Sequence, residues 1–191
     1  MNCEQEMERV GRVSDMLATA HANLRDSYSR YAAALDIVVL ALSTWLVSVI
    51  FVEPRIGLKL TPSGLDPQVW VGLLGILTFF LTIVQVKVDW KRRSDAHRRS
   101  FDMYSQVKRE CMYLLASGKE LTTDSCQRAL ARYDLAVDVG AALPEKQFLT
   151  QKRNHLKKVA ISKYLDTHPG ASILLLKLRM WLRDNIHPDT R

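Results

Sequence analysis

Histidine and cysteine would supply metal or nucleophilic chemistry here, and their spacing supports neither. His21, His97, His155, His168 and His187 lie far apart, without cysteine or carboxylate partners at ligand spacing. Cys3, Cys111 and Cys126 are widely separated, and the last two fall in apolar helical stripes, the usual setting of a packed, inert thiol. The chain has no glycine-rich phosphate loop, no Gly-x-Ser-x-Gly motif and no carboxylate pair isolated among apolar residues. No catalytic, metal or cofactor-binding residue is assigned, and an enzyme is not expected. The informative spacing lies in apolar surroundings. Gly75, Thr78, Thr82, Gln85 and Asp89 recur at three- and four-residue intervals and share one helix face. Asp36 and Ser43 share a face of another segment, with Ala41, Thr44 and Ser48 forming a small-residue face beside it. In lipid such residues face protein or water, and ionisable ones mark function. Two uses remain open: lining an aqueous path, or letting helices pack closely.

These residues are carried by two uninterrupted apolar stretches, Ala32 to Val52 and Val69 to Val88. Each is near the roughly 20 residues needed to cross a bilayer as a helix, and lipid permits only helices or closed barrels. In the first, about twelve large apolar side chains contribute some −4 to −7 kcal/mol to insertion, against at most about +3 for Asp36. The second has no charge before Lys87. A buried soluble hairpin would need more core than the remaining polar chain can provide. The polar leader, with Glu4, Glu6, Glu8, Asp15 and Asp26, excludes a cleaved signal peptide.

Charge sets the expected orientation. Arg25 and Arg30 precede the first span, and Lys87, Lys91, Arg92, Arg93, Arg98 and Arg99 surround the end of the second. The connecting loop, 53–68, has only Arg55 and Lys59, offset by Glu53 and Asp66. By the positive-inside rule both termini face the cytoplasm of a multi-pass inner (plasma) membrane protein. Tyr28, Tyr31 and Trp90 are expected at the inner interface and Trp70 at the outer one. The net charge of +7 could signal nucleic acid, but the cations concentrate in 87–99, where they read as topology and contact with anionic lipid. Direct nucleic-acid binding is not expected. Reduced, unpaired thiols are.

The remaining segments read as helix. The second span is expected to run without a break to about Leu115, with Phe101, Tyr104, Val107 and Cys111 forming a stripe before the stop at Ser117-Gly118. Thr122 or Thr123 caps the next helix, lined by Cys126, Leu130, Tyr133 and Val137. Pro144 begins a third, in the manner of a first-turn proline, and His168-Pro169-Gly170 ends it. The leader is helix-compatible: Met7, Val10, Val13 or Ser14, Leu17, Ala20 or His21 and Leu24 form a stripe suited to the helix after the second span. The last segment, Ala171 to Ile186, is too short and too charged to span. It reads either as a helix docked on its neighbours or as an amphipathic helix on the inner membrane face. The expected fold is thus all-α: a leader helix (1–31), a transmembrane hairpin (32–88) and a cytoplasmic helical region (89–191), with the leader and C-terminal helices forming a bundle.

This order, together with Trp90, Arg92, Arg93, His97 and Tyr104 on the long basic helix and Pro144-Glu145, Phe148 and Arg153 opening a later one, resembles the SLATT domain over about residues 5 to 165. SLATT domains are two-transmembrane effectors of bacterial conflict systems, found beside nucleotide-sensing and nucleotide-synthesising partners. The resemblance implies a homo-oligomer in the lipid bilayer that opens a pore and collapses the membrane potential, served by a nucleotide-signalling or sensor partner. The competing function is a membrane-anchored helical adaptor that recruits a cytosolic protein.

Overall fold

A computed structural model describes residues 3–51, 61–62, 64–117 and 122–186. Arg55 and Lys59 of the loop, Gly118 of the expected stop and His187 lie outside them. Every regular element among the described residues is helical: α1 (Cys3–Phe51), α2 (Pro67–Val88), α3 (Trp90–Ala116), α4 (Thr123–Val139), α5 (Glu145–Thr167) and α6 (Ile173–Ile186). Two of the helices are long and apolar enough to cross a membrane, and little of either apolar stretch is buried. The leader and the first apolar stretch are one helix, since no proline or capping signal interrupts residues 3–51.

The chain divides into two compact units, His21–Met103 and a second formed by Met1–Ala20 with Tyr104–Arg191. The first is the hairpin. Asp66 opens α2 by accepting from the Gln68 backbone N–H at 2.7 Å, with Pro67 in the first turn where its missing N–H costs nothing. The expected unbroken helix after the span does have a break. Asp89 adopts φ 45°, ψ 55°, a left-handed conformation that ends α2 at Val88 and restarts the helix at Trp90. Aspartate tolerates this region better than most residues because its short polar side chain can bond locally. Here its carboxylate accepts from the Arg92 N–H at 3.1 Å, while its own N–H still reaches the Gln85 carbonyl at 3.2 Å.

In the second unit the start of α1 lies against the end of α3. Gly11 is close enough that an added Cβ would meet Cys111 Cβ at 3.4 Å, and Lys108 Nζ pairs with Asp15 Oδ1 at 2.8 Å. Met7, Val10, Ser14, Ala18, Val107 and Cys111 are buried, the core expected of the leader stripe except that Ala18 is buried more deeply than Leu17. Thr122 caps α4. That helix buries Cys126, Ala129 and Ala136 and leaves Val137 exposed, so its inner face is displaced from the expected Leu130 and Val137 stripe. The small alanines permit closer backbone approach than Leu and Val would. Pro144 stands at the N-cap rather than inside the first turn of α5. His155 of α5 shares a hydrogen bond with Thr19 at 3.2 Å, and Arg132 of α4 pairs with Glu110 of α3 at 2.8 Å.

Cys3 and Cys126, expected as separate thiols, are brought together in the structure. Cys3 and Cys126 form a disulfide that ties the first turn of α1 to α4 across 123 residues of sequence, whereas Cys111 remains free and buried. A cross-link closing so long a loop restricts the unfolded chain and stabilises by about 2–4 kcal/mol. Oxidised protein is therefore expected to melt at a higher temperature than reduced protein, and Cys126→Ser should abolish the difference. Coincident melting curves for oxidised and reduced wild type would refute this contribution.

Candidate functional site

The hairpin unit places α1 antiparallel to α2 and the start of α3, and each contact steps forward on one as it steps back on the other. Leu46 meets Gly75, Asp36 meets Gln85, Tyr31 meets Trp90, Arg25 meets Ser94 and His21 meets His97. The central contact joins two of the polar residues singled out by spacing: Gln85 Nε2 donates to Asp36 Oδ1 at 2.6 Å. Arg30, which precedes Asp36 on the same helix, donates to the Asp26 carbonyl at 3.2 Å instead. Asp36 nevertheless remains exposed. A cleft of about 530 Å³ opens beside the pair, lined by Leu35, Val86, Asp89, Trp90 and Lys91 among others.

The rest of the polar face divides. Gly75 lies along the seam, with Leu46 Cδ1 4.0 Å from where its Cβ would be. Thr78 and Thr82 donate their hydroxyls to the carbonyls of Leu74 and Thr78, at 2.8 and 2.9 Å, so each is satisfied by its own helix. Ser48 does the same toward Thr44. Ser43 is half-buried and Asp89 is exposed at the break. The basic residues Lys87, Lys91, Arg92, Arg93, Arg98 and Arg99 are all exposed. The interface aromatics pair with protein: Tyr31 tilts against Trp90 with centroids 5.7 Å apart, and Tyr28 stacks on His97 at 5.5 Å. Trp70 buries its indole N–H without a hydrogen-bond partner.

Around this seam the surface is apolar and uncovered. Phe51, Val86 and Ile76 are 79, 76 and 69% exposed, and Ile37, Leu40, Phe79 and Phe80 are also open. In water a contiguous surface of this kind would be an aggregation liability. A hairpin that crossed a bilayer would turn such a surface to the acyl chains.

The structure also joins two histidines that the sequence kept 76 residues apart. The Nδ1 atoms of His21 and His97 approach to 2.9 Å, both rings buried, so one donates and the other accepts. Burial, reinforced by the neighbouring His97, pushes His21 down to about 4, and burial lowers His97 as well. Burial pushes the Cys111 thiol up, with Glu110 beside it adding to the effect, which keeps that sulfur protonated. Among the described residues no three His, Cys, Asp or Glu side chains gather closely enough to hold a metal ion.

No family model, curated protein or solved structure matches the chain.

The histidine pair gives a pH dependence of defined sign. The folded chain keeps His21 neutral, whereas the unfolded chain takes up a proton below about pH 6.5. Stability should be full above that pH, decline as pH falls toward about 4, and then level off. His21→Gln is expected to flatten the thermal-midpoint profile between pH 6.5 and 5, before most carboxylates titrate. A wild-type profile that is flat across this window would contradict a neutral buried pair.

Proposed function

We propose that this chain is an oligomeric pore-forming membrane effector of a SLATT-type bacterial conflict system. Its hairpin spans the inner membrane with both termini in the cytoplasm, and its cytoplasmic helices gate it in response to a nucleotide-signalling or sensor partner. The observation that carries the reading is Asp36, bonded to Gln85 across the hairpin yet exposed on an otherwise apolar surface. A carboxylate at the bilayer centre costs about 2.5–3.5 kcal/mol. A cross-helix hydrogen bond in lipid returns about 0.6–2 kcal/mol. Asp36 sits about 6 Å inside its apolar stretch, where the cost is lower, but exposure to lipid still disfavours it. Several copies around a shared axis would turn each Asp36–Gln85 pair toward water, and two helices from one chain cannot enclose water alone.

The other features fit this use. The six exposed cations at 87–99 match an anionic cytoplasmic leaflet. Asp89 supplies a bend at the inner end of α2, where rotation of α3 would alter the direction of the span. Thr78 and Thr82, already satisfied within α2, serve equally at a helix seam, so pore lining falls to Asp36, Gln85 and Asp89. No step of bond-making or cofactor chemistry is assigned.

Overexpression of the intact chain is expected to depolarise the membrane. Asp36→Ala combined with Gln85→Leu should reduce ion leakage from proteoliposomes several-fold while leaving insertion intact. Wild-type leakage from the double variant would remove these residues from the pore, and a lone monomer or dimer that never leaks would favour an anchored adaptor.

The same topology makes a redox prediction. On the cytoplasmic side Cys3 and Cys126 meet a reducing thiol pool. Alkylation in unstressed cells is expected to trap both as thiols, with the disulfide forming on lysis or oxidation. A disulfide that persists in unstressed cells would argue for the opposite side of the membrane.

A further inference from the structure

The C-terminal helix α6 turns its apolar side chains outward. Leu174 and Leu175 are 78 and 68% exposed, and Leu178, Trp181, Leu182 and Ile186 are open as well. Their three- and four-residue spacing places them on one continuous face. Leu176 and Met180, flanked by Arg179 and Arg183, line the groove against α5 beside Ile161 and Tyr164, and none of α6 is buried. At 3.6 residues per turn, Lys177 borders the apolar face on one edge and Arg179 on the other, with Arg183 beyond it. A helix of 14 residues is about 21 Å long, short of the ~30 Å hydrocarbon core.

We infer that α6 is an interfacial helix that lies on an anionic lipid surface, with its leucines and Trp181 in the acyl boundary and Lys177, Arg179 and Arg183 on the headgroups. Charge complementarity selects this occupant. A second copy seated on the same face would bring the basic borders of two helices together, with Asp184 the only acidic residue of α6 to offset them. The adjoining α5 adds exposed Lys152, Arg153, Lys158 and Lys163, so the surface that covers this region must be negatively charged as well as apolar beneath. Trp181 fits the boundary, where amphipathic rings concentrate. The inference rests on the membrane reading of the apolar hairpin.

The test uses the full chain with Cys3, Cys111 and Cys126 replaced by serine and Leu178→Cys carrying an environment-sensitive fluorophore. It is reconstituted into vesicles of phosphatidylcholine with or without phosphatidylglycerol. With phosphatidylglycerol the emission should shift to the blue and be quenched by spin-labelled lipid. Quenching should fall several-fold in phosphatidylcholine alone and in Lys177→Glu/Arg179→Glu/Arg183→Glu, whose apolar face is intact. An unquenched, water-like label in anionic vesicles overturns the inference, as does a blue shift without lipid quenching that grows with protein density, the mark of a second copy. A label at Ile37→Cys separates the two readings. If it is quenched while Leu178→Cys is not, only the α6 inference fails; if neither is quenched, the membrane reading fails with it.

Discussion

The hydrogen bond from Gln85 to Asp36 exists in only one register of the hairpin. Sliding α2 by one residue against α1 rotates each contacting side chain by about 100° and puts an aliphatic residue, Val84 or Val86, opposite the carboxylate. The same register sets Gly75 beside Leu46, Tyr31 beside Trp90 and His21 beside His97. Between apolar helices in lipid no hydrophobic force selects a register, because the tails solvate leucine as well as another helix does. Specific polar and small-residue contacts can do it in any solvent, and in this hairpin they occur at intervals along its length.

The hydroxyl residues of the spans differ in kind from Asp36 and Gln85. Thr78, Thr82 and Ser48 each donate to a carbonyl one turn earlier on their own helix, so their donors need no partner outside it. An amide or a carboxylate cannot close on its own backbone in that way. Gln85 and Asp36 must find partners on another helix or in water, and this separates a polar pair that fixes the hairpin register from a stripe that merely tolerates it.

Much of the fold was legible because its signals are local. Two apolar stretches of spanning length, Thr122 before a helix and His168-Pro169-Gly170 after one each act within a few residues of themselves. The apolar periodicities of the leader and of α3 also identified the buried Met7, Val10, Val107 and Cys111. The candidate site was legible in part: spacing placed Gln85 and Asp36 each on a polar face, but only the hairpin register shows that they meet. The histidine pair and the Cys3–Cys126 bond join residues 76 and 123 positions apart, and no local pattern announces either. On α4 the expected stripe followed size, Leu130 and Val137, whereas the packing chose Ala129 and Ala136, because close approach rewards a small side chain.

The break at Asp89 carries neither of the usual helix-stop residues, since no glycine or proline occurs between Gly75 and Gly118. Aspartate ends α2 by another route. In the left-handed conformation it retains its backbone bond to Gln85 and offers its carboxylate to the Arg92 N–H, so it closes one helix and caps the next with a single residue. Glycine would adopt the same dihedrals with less strain, but it would leave the new helix uncapped and would remove an anion from the helix N-terminus, where negative charge is favourable. The residue therefore combines a bend, a cap and a charge at the point where apolar sequence gives way to Lys91, Arg92 and Arg93. Because Gln85 also donates its side chain to Asp36, its backbone bond to Asp89 links the bend to the polar seam within a single helical turn.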